Sequence, residues 1–230
     1  MPKLEIPESQ LTSAFEQVRF PDRKSMTSFA LEHGINFLGS GKYCIVTNGD
    51  TPGTVDAINY IPFPRLTGLS LLYSQQIWHL MFPNNFPAFH AVYWENLPDQ
   101  KQHRFNGTCR QQVIGKQLQT QEEVVKLFSP SHHQRKKLSQ GALPKNVPLW
   151  WVEETLKTID QYLWLDRNPN NFFVTPSEQQ IYVDTLPIHQ KTVHKVTLFT
   201  DIINRYKMGE DVKQKVLAKL SRLQQLFPLN

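Results

Sequence analysis

Apolar positions along the chain fall into short periodic runs separated by Gly, Pro and Asn, a pattern of alternating strands and helices. Helical spacing predicts a first helix over residues 9–18. A second is capped by Ser25 and stops before Gly34, which suits the left-handed position after a helix. Residues 36–38 and 43–47 read as strands flanking a glycine-containing turn, residues 48–53 as a second turn, and residues 55–61 as a third strand. Residues 66–82 then read as one helix ended by Pro83-Asn84-Asn85, followed by strands over 88–94 and 108–114. Three antiparallel strands, a helix and two more strands therefore open the fold.

After Gly115 the character changes. Residues 122–128 predict a short helix, and residues 149–163 a longer one with Val152, Leu156, Ile159 and Leu163 on one face. Phe172-Phe173-Val174 and Ile181-Tyr182-Val183-Asp184 are strand-like runs joined by a polar turn over residues 175–180. Beyond Asp184 the chain reads as helical, and Val212, Val216, Leu220 and Leu223 form an apolar stripe of the kind that packs a core. The fold class is mixed α and β.

With 230 residues, 40% of them apolar, the chain can fill the core of one large domain or two lobes. Its most apolar segment, residues 66–82, is interrupted by Ser74, Gln75, Gln76 and His79, so it falls short of the about 20 continuous apolar residues of a membrane span. Residues 1–10 lack the charged-then-apolar order of a signal peptide, so a cytoplasmic protein is expected. Two cysteines, Cys44 and Cys109, are too few for a disulfide framework and are expected to be reduced and buried. Arg135, Lys136, Lys137, Lys145, His132 and His133 make a basic run, read as a solvated loop or as a docking patch for phosphate-rich partners. No aromatic residues interleave that run, so nucleic acid is not the expected partner despite a pI of 9.1.

Two motifs carry chemistry. Asp166-Arg167-Asn168-Pro169-Asn170-Asn171 precedes the hairpin, whose pairing sets Asn171 and Asp184 about 5 Å apart at its open end. Oxygen ligands at that separation suit magnesium, which binds at about 2.1 Å and takes only one or two protein carboxylates. Gly39-Ser40-Gly41-Lys42-Tyr43-Cys44 sits between the first two strands, where a glycine turn lets backbone N–H groups approach phosphate oxygens.

Taken together, the glycine turn, the order of strands and helix, and the Asp-x-x-Pro-x-Asn run followed by Asp184 resemble the protein kinase-like family over residues 36–184. The resemblance implies a two-lobed fold, with residues 1–35 a helical extension, 36–115 the first lobe with a hinge at 109–115, and 116–230 a reduced helical lobe. It implies that Asp166 accepts the proton of an acceptor hydroxyl and that Asn171 and Asp184 hold Mg2+. Gly39 and Gly41 match the first glycines of the phosphate loop, Tyr43 its tip and Val46 the residue packed on adenine. Gln112 and Val113 would offer backbone groups to the adenine edge.

This sequence departs from the family's pattern at several places. Cys44 replaces the third loop glycine, Asn59 stands near the place of the phosphate-binding lysine, and residues 66–82 contain no Glu or Asp to pair with one. Trp164-Leu165 precedes Asp166 in place of His-Arg, Thr185-Leu186 follows Asp184 in place of Phe-Gly, and only 46 residues follow Asp184. Some cation must then stand in for the lysine, and Lys42 is the candidate, with Arg167 and Arg65 behind it. The resemblance implies an ATP- and magnesium-dependent phosphotransferase acting on a small-molecule or protein hydroxyl. A pseudokinase-type binding or scaffold module is the alternative.

Overall fold

The computed structural model describes residues 20–35, 37–40, 44–49, 51–95, 104–132, 135 and 146–228. The helix expected over residues 9–18 lies outside them, as does the basic run apart from His132 and Arg135. The chain is mixed α and β and divides into two compact units: Met1–Leu72 with Phe89–Gln112, and Tyr73–Ala88 with Val113–Asn230.

The first unit holds helix α1 (Arg23–Glu32) and an antiparallel sheet of β1 (Phe37–Ser40), β2 (Cys44–Asn48), β3 (Thr54–Pro64), β4 (Phe89–Glu95) and β5 (Arg104–Gln111), ordered β1-β2-β3-β5-β4. Helix α2 (Arg65–Met81) follows β3 directly. The cap of α1 is Asp22, not Ser25. Its acceptor-only carboxylate takes the N–H of Ser25 at 2.8 Å and its hydroxyl at 2.9 Å, so the helix starts two residues before Ser25. Gly34 does terminate it, at φ +66°, with Ile35 N–H bonded to the Ala30 carbonyl and Gly34 N–H to that of Leu31. Met26 and Ala30 of α1 bury against Ile45 and Ile58 of the sheet, with Phe20, Phe29, Ile35, Tyr60 and Cys109 packed around them. Cys44 and Cys109 are unlinked and half-buried rather than buried.

The second unit combines the latter part of α2 with α3 (Gln121–Leu127), α4 (Leu149–Ile159), α5 (Val196–Arg205), α6 (Glu210–Leu226) and a three-stranded sheet, β6 (Lys116–Gln117), β7 (Phe172–Val174) and β8 (Gln180–Tyr182), ordered β6-β7-β8. The strand expected over 108–114 is the end of β5, which starts earlier and stops at Gln111; residues 112–114 leave the sheet, and the chain pairs again only at Lys116, against β7. A capping box opens α3: Thr120 and Glu123 exchange side-chain-to-backbone bonds, and Lys116 adds an ion pair to Glu123 at 2.6 Å. That lysine, with the N–H groups of Gln119 and Thr120, holds the Glu123 carboxyl down at about 2.

Helix α4 stops at Ile159, four residues short of Leu163. There the Asp160 carboxylate accepts the Tyr162 N–H at 3.0 Å and the Thr192 hydroxyl, an Asx-type turn that competes with helix continuation. Leu163 is still buried. The core gathers Trp78, Phe82, Phe86, Leu149, Leu156, Phe172, Tyr182 and Phe199, each exposed by 2% or less. Long-range bonds then fix the segments that bear the site. Trp78 Nε1–H donates to the Leu186 carbonyl at 2.6 Å, Ile188 N–H to the Ser74 hydroxyl at 2.9 Å, and Tyr182 N–H to the Asn85 carbonyl at 2.8 Å. Among the described residues no helix is long and apolar enough to cross a membrane.

Candidate functional site

The chain leaves α4 in an extended path that alternates inward and outward. Leu163 and Leu165 are buried, while Tyr162, Trp164 and Asp166 face out. Three short-range bonds shape the turn after Asp166. Asp166 Oδ1 accepts the Asn168 N–H at 3.2 Å, Asn168 Oδ1 accepts the Asn170 N–H at 3.1 Å, and Asn171 N–H closes on the Asn168 carbonyl at 2.9 Å. Pro169 occupies the start of the resulting single 3-10 turn (Pro169–Asn171), where its fixed φ favours that turn and its missing N–H costs nothing.

The predicted hairpin forms, in a register that pairs Phe172 with Tyr182 and Val174 with Gln180. Its second strand starts at Gln180 and ends at Tyr182, so Asn171 lies opposite Val183, whose N–H reaches the Asn171 carbonyl at 2.9 Å. Asp184 is one residue further out, and its side chain still turns back. Asn171 Nδ2 lies 3.4 Å from Asp166 Oδ2 and 3.3 Å from Asp184 Oδ2, so the three side chains named from the sequence converge.

These separations bear on metal binding. Two oxygens on adjacent corners of a magnesium octahedron with bonds of about 2.1 Å stand about 3.0 Å apart, close to the spacing here. The Asn171 amide needs only to rotate by half a turn to present Oδ1 in place of Nδ2. Asn171 and Asp184, one amide and one carboxylate, therefore suit a hard cation that keeps its remaining positions for phosphate and water, with Asp166 beside them. Among the described residues no three His, Cys, Asp or Glu side chains group to hold a metal, so a wholly acidic or imidazole-rich cage is not what this site offers.

Tyr182, 1% exposed, sits under this cluster and its phenol oxygen accepts the Asp166 N–H at 3.1 Å. Burial, and then the charge of Asp184, push its phenol far above the usual tyrosine range.

One residue of the site escapes the motif-based reading. Glu153 of α4 is 5% exposed, and its Oε1 accepts the Leu165 N–H at 2.9 Å. Its Oε2 takes Arg167 at 2.6 Å and Lys157 at 3.3 Å. The Arg167 guanidinium also lies 3.2 Å over the Phe128 ring. Arg167, expected from the sequence as a reserve phosphate ligand, is therefore tethered to α4 through Glu153. A signal for Glu153 does exist in the helical period: position 153 follows Leu149 by four residues and precedes Leu156 by three, which puts a carboxylate on the buried stripe.

In the first unit the residues fall differently. Gly39 lies inside β1, paired with Val46, instead of in the turn; its φ is not left-handed and an added Cβ there would meet nothing within 4 Å. Val46 is half-buried on the sheet face opposite Ile45 and pairs with Ala57 as well, while Asn59 pairs with Cys44. Gly41, Lys42 and Tyr43 lie outside the described residues, as does the side chain of Arg65. Cys109 to Gln111 belong to β5 rather than to a hinge, and the Gln112 N–H is already bonded to the Gly53 carbonyl at 2.8 Å. Val113 is half-buried. The chain matches no family model, and no curated protein matches it.

Proposed function

We propose that the second unit carries the reaction centre of an ATP-dependent, magnesium-assisted phosphotransferase of the protein kinase-like type. The observation that supports it is the meeting of Asp166, Asn171 and Asp184, with both carboxylates within 3.4 Å of the Asn171 amide. Further support comes from a five-stranded antiparallel sheet with a helix between its third and fourth strands. The nucleotide contacts of Gly39, Gly41, Lys42, Tyr43, Val46, Gln112 and Val113 rest on the resemblance alone.

Asp166, exposed at the tip of its turn, accepts the proton of the acceptor hydroxyl. The acceptor oxygen bonds to the γ-phosphorus, the bond from that phosphorus to the bridging oxygen breaks, and ADP leaves with the electron pair. Asn171 and Asp184 would hold Mg2+, which supplies charge neutralisation for the phosphates. The test is transfer of label from γ-labelled ATP, with magnesium, to the protein itself, to hydroxyl acceptors or to water.

A second reading, a pseudokinase-type module, is favoured by the tethering of Arg167 to Glu153 and by Asn59 at the lysine's place. Thermal shift separates the two: ATP with magnesium at a hundred times its dissociation constant stabilises by about 2.7 kcal/mol. A shift without label transfer supports the module that binds nucleotide without catalysis, and no shift at all a scaffold.

A further inference from the structure

We infer that Glu153 is the positioning residue of this reaction centre, holding Asp166 in place through both of its chain neighbours. The inference rests on the phosphotransferase reading above. Oε1 of Glu153 takes the backbone N–H of Leu165 and Oε2 the guanidinium of Arg167, so one buried carboxylate grips the residues immediately before and after Asp166. Tyr182 takes the N–H of Asp166 itself. Three consecutive residues of an otherwise irregular loop are thereby tied to α4 and to β8, and no bond of this set uses the Asp166 carboxylate.

A helix is a rigid mount, and α4 is buried along most of its length, so the loop inherits the helix's position. Between Asp166 and Asn171 the turn is shaped by contacts two or three residues apart, and its far end is held by Gln117 Nε2 on the Asn170 carbonyl at 2.9 Å and by Val183 N–H on the Asn171 carbonyl at 2.9 Å. Glu153 locates the near end, where Asp166 stands. The need for a charged group follows from Arg167: its Nη1 is buried without a partner, so a neutral residue at 153 leaves the guanidinium with the Phe128 face alone.

The experiment compares wild type, Glu153→Gln, Glu153→Ala and the double variant Glu153→Gln/Arg167→Gln, with folded fraction fixed by circular dichroism. Glu153→Gln keeps an acceptor for the Leu165 N–H and loses the ion pair; it is expected to lower kcat about tenfold with KM for ATP unchanged, and Glu153→Ala about a hundredfold, the scale of a misplaced reactive group. The double variant, with no guanidinium left unpaired, is expected to recover most of the loss of Glu153→Gln. Amide exchange at residues 165–167 should accelerate in Glu153→Ala relative to the rest of the unit. Variants that are less stable but keep wild-type kcat in their folded fraction, with unaltered exchange at 165–167, overturn the inference. So does a rise in KM equal to the fall in kcat. A wild-type protein without transfer activity defeats the phosphotransferase reading itself, whereas the exchange and double-variant results still report whether Glu153 fixes the loop.

Discussion

Asp184→Ala is expected to lower magnesium-dependent phosphoryl transfer by about a thousandfold, the upper range for removing one electrostatic contact to a developing charge. The side chain is half-buried, with one oxygen 3.3 Å from Asn171 and the other accepting the adjacent Thr185 N–H at 2.7 Å, so truncation removes charge from the cluster without opening the core. Circular dichroism should be unchanged. Asp184→Asn keeps the shape and drops the charge, and is expected to be nearly as inactive. Transfer that proceeds at the wild-type rate in either variant would mean that the reaction takes place elsewhere. Asp166→Asn serves as companion: on general-base magnitudes it loses about 100- to 10,000-fold in kcat.

Trp78→Ala is the substitution with the largest expected effect on stability. The indole is fully buried, stacked on Phe199 with ring centroids 6.1 Å apart, and its N–H holds the Leu186 carbonyl at 2.6 Å. Truncating a buried tryptophan costs about 3–5 kcal/mol through lost contacts and the cavity left behind. The orphaned carbonyl adds about 1–3 kcal/mol. Trp78→Phe keeps the larger part of the apolar contact but drops the donor and some ring volume, so it is expected to fall between wild type and Trp78→Ala. Urea unfolding followed by far-ultraviolet circular dichroism measures both. Because Leu186 lies two residues after Asp184, the partially unfolded ensemble of Trp78→Ala should lose transfer activity before it loses the signal of the first unit. An alanine variant within 1 kcal/mol of wild type, on the scale of these magnitudes, would mean the site relaxes around the hole.

The site is legible in the sequence because its signals are local. Asp166 lies just before the single turn that holds Pro169 and Asn171, and the two strand-like runs before Asp184 leave only one short way to pair. Gly34 and the end of α2 are equally readable, since each depends on residues a few positions away. The features that stay hidden depend on distant partners. Asp160 ends α4 through Thr192, thirty-two positions on, which no helical period encodes. The chain leaves one sheet at Gln111 and enters another at Lys116, although residues 108–114 look like one strand. Glycines suggest turns, yet the pairing of Gly39 with Val46 extends the strand past it. Arg167, beside Asp166 in sequence, finds its partner in α4, fourteen positions back, which no local pattern announces.

The burial of Tyr182 sets how this protein meets alkali. In the unfolded chain a tyrosine surrenders its proton near pH 10, whereas the folded unit keeps Tyr182 neutral well beyond that. The raised folded value means that the stabilisation is whole below pH 10 and drains away above it, by about 1.4 kcal/mol per pH unit for one withheld proton. Base titration of the melting temperature should therefore bend downward near pH 10, and Tyr182→Phe should soften that bend while releasing the Asp166 backbone from its anchor.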